Sequence, residues 1–153
     1  MVVASHSHES ELMSIYKLDS YVLIIRGKDR LSFIDGLSTN KVVGDCSTVF
    51  TTKSAKIIDM VDVIEMGEFL ALIGHGPHKD KLIDHISSKI LGQEVSIGDA
   101  SFNNSVYLST KDIDVNNSVT KRSTWRGWLL VAPNGENINS TMSEKEFSEY
   151  RVL

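Results

Sequence analysis

The chain has 153 residues, of which 41% are hydrophobic and 24% charged, the proportions of an ordinary globular domain. That composition excludes a disordered tail, a collagen-like rod and a bundle of membrane spans. Lys and Arg number 16 against 20 Asp and Glu, for a formal net charge of -4 without any basic run, which argues against wrapping nucleic acid or an anionic membrane.

The length predicts one domain over residues 1–153. Cys46 is the one cysteine, so no internal disulfide can form. The opening MVVASHSHESELM has neither a basic n-region nor a long apolar stretch, and no signal peptide is expected. Together these predict a cytoplasmic protein, in which the sequons opened by Asn103, Asn116 and Asn139 stay idle.

In chain order, the apolar run 21–25 (YVLII) predicts a buried strand that ends at Arg26-Gly27. Asp29 is expected to cap a short helix presenting Leu31, Phe33, Ile34 and Leu37, ended by Gly36 and the following Ser38-Thr39-Asn40. Strands are predicted at 47–52 and 57–64 around the turn 53–56, then at 69–73, broken by Gly74-His75-Gly76-Pro77. Pro77 suits the first turn of a helix over 78–91, with Leu82, Ile83, Ile86 and Ile90 on one face and Gly92 as its stop. Short strands at 94–97, 105–109 and 127–132 follow, with the Asn/Ser-rich stretch 111–124 read as a loop. A capping box, Ser143 with Glu146, opens a last helix that turns Phe147 and Tyr150 inward. Strands and amphipathic helices in mixed order predict an α+β fold, mixed or antiparallel sheets with helices packed on them. Internal repeats are lacking.

Few residues carry a chemical signal. His75, His78 and His85 lack the carboxylate or cysteine spacing of a metal site, and His75 reads as part of a solvated loop; no metal is expected. His6 and His8 fall in a terminus expected to fray. Asp45 beside Cys46 disfavours an activated thiolate, and no GxSxG, SxxK, Walker or GxGxxG motif occurs. Trp125 and Trp128 flank Arg126-Gly127 and could stack on a planar ligand; one inward and one partly exposed Trp explain them equally. The polar feature of interest is the strand 57–64. Alternation puts Ile58, Met60, Asp62 and Ile64 on one face and Ile57, Asp59, Val61 and Val63 on the other. An Asp in so apolar a strand needs a partner, a wet cavity, or a strand end where it meets water or a backbone amide.

Several of these stretches resemble a known family. Gly27-Lys28-Asp29, then Ser32 to Asn40 (SFIDGLSTN), is similar to the "G-x-D-x-x-x-F-L-x-x-L-x-T-N-D" stretch of the glycine-cleavage T-protein family, which includes aminomethyltransferases, the folate domains of dimethylglycine and sarcosine oxidases, and folate-binding iron–sulfur maintenance proteins. Thr51 to Met60 resembles the following "N-x-x-G-x-I-x-D-D" segment, and Arg126 to Leu130 the later "G-x-x-G-x-x-L" strand. The resemblance runs over nearly the whole chain and over about the first half of the family's usual chain. It implies an α+β folate-binding domain around a pterin cavity, with Asp59, Met60, Asp62, Asn40 and Trp125 as candidate pocket-lining residues and tetrahydrofolate as the cofactor.

Departures from the pattern bear on activity. The family's second Asp, beside the folate's reactive nitrogen, is Met60 here, and a thioether cannot take a proton or stabilise an iminium. Asp62 lies about 6.6 Å further along the strand. The pterin-holding Glu of "Y-T-G-E" has no counterpart in residues 123–127, the Tyr expected before residue 50 is Ser47, and the Asn after strand 69–73 is Gly74. The "K-G-C-Y-x-G-Q" motif is absent. No catalytic residue is therefore expected. The resemblance implies a degenerate, non-catalytic domain that binds a small molecule, tetrahydrofolate among the candidates. It could equally serve as an interaction subunit, as the short gamma subunit of heterotetrameric sarcosine oxidase does, in a homo-oligomer or with a partner chain. The alternatives are an aminomethyltransferase-like half completed by a second chain, and a stand-alone domain of unrelated activity. Met60 itself is expected to pack as a core thioether beside Ile58 and Ile64, so that Met60→Asp would bury a charge.

Overall fold

The computed structural model describes residues 14–136, with 138 and 145. Its elements in order are β1 (Ile15–Leu18), β2 (Ser20–Arg26), α1 (Arg30–Leu37), β3 (Cys46–Thr51), β4 (Ile57–Glu65), β5 (Leu70–His75), a 3-10 turn at Gly76–His78, α2 (Lys79–Lys89), β6 (Ser96–Asp99), a second 3-10 turn at Ser101–Asn103, β7 (Asn104–Ser109), β8 (Thr120–Thr124) and β9 (Gly127–Pro133). The fold is α+β, as expected. The helix read from the capping box at Ser143 lies outside the described residues.

The chain divides into two compact units, residues 19–102 and the flanking residues 1–18 with 103–153. The first holds a five-stranded antiparallel sheet, in the order β3-β4-β5-β2-β6, with α1 and α2. β2 lies inside this sheet between β5 and β6, which is why it reads as a continuous apolar run: Tyr21, Leu23 and Ile25 join the core cluster on one face while Val22, on the other, is also buried. Phe50, Val61, Val63, Leu70 and Leu72 meet them on the core face. Leu82 and Ile86 of α2 and Phe33 and Ile34 of α1 complete that cluster, each at most 7% exposed. The second unit is a four-stranded antiparallel sheet, β1-β7-β9-β8, with Tyr107, Val119, Leu130 and Ala132 as its core.

Four local expectations are corrected. Asp29 does stand at the N-cap of α1, but its carboxylate makes no capping bond. Its Oδ2 instead accepts the Glu94 amide at 2.8 Å, and its own amide donates to the Glu94 carbonyl at 3.2 Å. Gly27, at φ +112°, runs so close to the Glu94 carbonyl that any Cβ would overlap it. The Gly27-Lys28-Asp29 signature is thus a backbone clamp onto the 92–95 loop. Second, Gly74 does not break β5, which continues to His75 paired along β2. Third, residues 120–124 form β8 rather than part of a loop; its polar side chains hid an edge strand. Fourth, Ile58 joins the core face with Val61 and Val63, because the β3–β4 register shifts between Phe50 and Thr51 and leaves Ile58 as the extra residue of a bulge. β1, only four residues long (IYKL), is a further addition.

Candidate functional site

Asp59, Tyr21 and His75 of the first unit converge at one end of its sheet. The β4–β5 ladder runs from Glu65↔Leu70 to Asp62↔Ile73 and stops there, while β5 stays paired with β2 as far as Ser20↔His75. Where β4 and β5 part, Asp59 fills the gap. It is 3% exposed, on the core face opposite Phe50. Its Oδ2 accepts the Tyr21 hydroxyl at 2.7 Å and the His75 amide at 2.9 Å. Its Oδ1 lies 2.7 Å from the His75 Nδ1 and accepts the Met60 amide at 2.8 Å. One carboxylate thus serves three strands and substitutes for the missing rungs between β4 and β5.

The sequence places these partners for steric reasons. Tyr21 pairs with Gly74, and a Cβ at Gly74 would overlap both the Tyr21 hydroxyl and the Asp59 Oδ2. The glycine is therefore the space in which the hydroxyl reaches the carboxylate. Burial pushes the Asp59 carboxyl upward, but the hydrogen bonds from His75 and Tyr21 and the His75 charge outweigh it and hold the group below the usual carboxylate range. Burial first, and then Asp59, push the Tyr21 phenol far above its ordinary value, so the hydroxyl remains a donor. His75, expected in a solvated loop, stands at the end of β5 with its side chain 47% exposed. Its ring lies 6.3 Å from that of His78, edge to face.

The other candidate residues are dispersed. Asp62 is 5% exposed on the opposite face of β4, where it pairs with Ser47 and accepts that hydroxyl at 2.6 Å. Met60, paired with Val49, is on this face too but 44% exposed, which corrects the core-thioether expectation. Ile58 and Ile64, its expected neighbours, are buried on opposite faces. Met60→Asp is accordingly expected to leave the unfolding free energy within about 0.5 kcal/mol of wild type, as surface changes do. A urea midpoint that drops well beyond this would show that Met60 packs in the core. Asn40 is exposed and donates to the Lys41 carbonyl at 3.3 Å. Trp125 belongs to the second unit, at the tip of the β8–β9 hairpin, 71% exposed with the Arg126 guanidinium 5.9 Å from its ring centre. Burial first, then Asp45 and Asp62, push the Cys46 thiol up, away from a reactive thiolate.

The expected residues Asp59 and Asp62 are therefore buried and internally bonded, while the sequence passed over Tyr21 and read Gly74 and His75 only as a strand break and a solvated loop. One signal could have found them. An Asp inside an apolar strand demands donors, and Tyr21 is the polar side chain at the head of the apolar run 21–25. Among the described residues, no three His, Cys, Asp or Glu side chains are grouped so as to hold a metal ion. No helix among them is long and apolar enough to cross a membrane.

No family description and no curated protein sequence matches this chain. Among solved structures it is similar to the glycine cleavage system aminomethyltransferase T from Bartonella henselae, at a TM-score of 0.63 and 8% identity. That likeness covers 94% of this chain and 47% of the aminomethyltransferase, so the chain spans about half of that protein's length. The fold is T-protein-like.

Proposed function

We propose that this chain is a non-catalytic T-protein-like domain that acts as an interaction subunit or binds a small molecule, with tetrahydrofolate the first ligand to test. The observation that carries this reading is the state of the carboxylate. Asp59 already takes donors from Tyr21, His75 and Met60 on both of its oxygens, so it offers little to a pterin or a reacting nitrogen. The neighbouring position, where the family resemblance calls for the reactive carboxylate, holds the exposed thioether of Met60. The Glu, Tyr and Asn that the resemblance calls for around a pterin have no counterpart at residues 123–127, Ser47 and Gly74. Fold likeness alone does not carry an activity.

The test supplies aminomethylated carrier protein and tetrahydrofolate and looks for methylenetetrahydrofolate. No turnover is expected from the chain alone, since one missing preorganised group costs about 10²–10³ in rate. Calorimetric titration with tetrahydrofolate is expected to give low affinity. Robust turnover with tight binding would overturn the reading. The interaction role draws on Ile57, 72% exposed, and Met60, whose partners Thr51 and Val49 place them on one face of the sheet. Sedimentation is expected to show self-association or capture of a partner chain; a monomer throughout the micromolar range counts against it. The second reading, an aminomethyltransferase-like half, draws on the 47% coverage of the Bartonella enzyme and predicts turnover only when a second chain is added.

A further inference from the structure

The buried carboxylate that ties the parted ends of β4 and β5 has a single partner side chain with broad access to solvent, His75. We propose that Asp59 and His75 form a pH-responsive latch on this end of the sheet, tight when the imidazole is protonated and slack when it is neutral. Three observations carry the proposal. The regular β4–β5 ladder ends at Asp62↔Ile73, so beyond it Asp59 supplies the His75 amide bond that a further rung would have made. The Met60 amide is turned to the same carboxylate, which couples the 57–60 end of β4 to the state of that one group. And the imidazole Nδ1, 2.7 Å from Oδ1, reaches the carboxylate from a half-exposed position where protons exchange freely with water.

The other groups near the latch do not supply the same response. Tyr21, from β2, stays neutral, and the Asp59 carboxyl stays ionised throughout the neutral range. His78, on the 3-10 turn, faces the His75 ring edge to face rather than the carboxylate. The Asp19 carboxylate stands against Gly76, and Lys79 is held 3.0 Å from Asp99. Protonation of His75 adds a second charge to a bond that already rests on the ionised carboxylate and makes it an ion pair, which strengthens the tie.

Native-state amide exchange tests this, each rate being divided by its intrinsic rate at the same pH. On going from pH 5 to pH 8, the protection of the His75 and Met60 amides is expected to fall by up to about five-fold, the upper end of what a partly exposed ion pair contributes. The ladder amides of Val63 and Leu72 should keep theirs. His75→Gln should abolish the dependence and His78→Gln should preserve it. Equal protection at both pH values overturns the latch, as does a parallel fall at Val63 and Leu72, which would be global unfolding. Dependence that survives His75→Gln, or vanishes in His78→Gln, overturns it too. Should His75→Gln not fold, NMR on the wild type gives a second reading. The Met60 amide shift is expected to follow the midpoint of the His75 ring nitrogens, and a Met60 amide blind to that titration overturns the proposal.

Discussion

Leu82→Ala and Ile86→Ala are each expected to lower the unfolding free energy by roughly 2–5 kcal/mol, enough to consume a large share of a domain's stability. Both side chains are fully buried, four residues apart on α2, and both belong to the cluster formed by Leu23, Ile25, Leu70 and Leu72 of the sheet. Truncation removes the transfer free energy of the lost methyl groups and leaves a cavity that a sheet on one side and a helix on the other cannot easily collapse to fill. Ile83 and Ile90 pack at the margin of the same cluster and are only partly buried, so their alanine variants should cost less. Urea unfolding followed by circular dichroism checks the ranking. Midpoints for Leu82→Ala and Ile86→Ala that match wild type would mean that α2 does not pack as described.

The elements that could be read from the sequence are those whose burial pattern is regular. β2 and β5 read as continuous apolar runs because their side chains are buried on both faces, and α2 keeps a clean four-residue spacing of apolar side chains. Edge elements escaped. β8 reads TKRST, with no residue fully buried, and is specified by its ladder with β9 rather than by its own side chains. The bulge at Ile58 also escaped, since no residue there announces it, and it inverted the expected faces of both Ile57 and Ile58: Ile58 joins the core and Ile57 the face of Met60.

The site was half legible for a similar reason. Asp59 stood out as a carboxylate in an apolar strand, but its partners are 38 and 16 residues away, and only the sheet order brings them together. Gly74 looked like punctuation because a glycine next to His-Gly-Pro usually is. Its role here depends on the cross-strand pairing with Tyr21, which local sequence does not encode. Met60 is exposed although Asp62 and Ile64 on the same face of β4 are buried, and strand alternation alone could not distinguish the open position from the covered ones.

Asp59→Ala is expected to be as damaging as a core truncation, at about 3–5 kcal/mol, because it orphans the buried Tyr21 hydroxyl and the His75 and Met60 amides, each at about 1–3 kcal/mol where buried. The Tyr21 hydroxyl, on a residue 1% exposed, would lose its acceptor, and the His75 amide would lose the bond that closes the gap beside β4. Tyr21→Phe should cost less, about 1.5–3 kcal/mol for one hydrogen bond to a charged group, since the carboxylate keeps its remaining donors. Gly74→Ala should approach Asp59→Ala, as the new methyl group must displace the Tyr21 hydroxyl or the carboxylate itself. The same network fixes the acid limb of stability. The Asp59 carboxyl titrates lower in the folded chain than the value of about 3.9 that it has when unfolded, so its contribution is complete above pH 4. It fades as the pH falls through the lower folded value. An Asp59→Asn variant, with nothing there to protonate, should start less stable at pH 7 and lose less than wild type between pH 4 and pH 2. Parallel acid limbs for the two proteins, or an Asp59→Ala variant within about 1 kcal/mol of wild type, would show that the carboxylate does not hold this end of the sheet together.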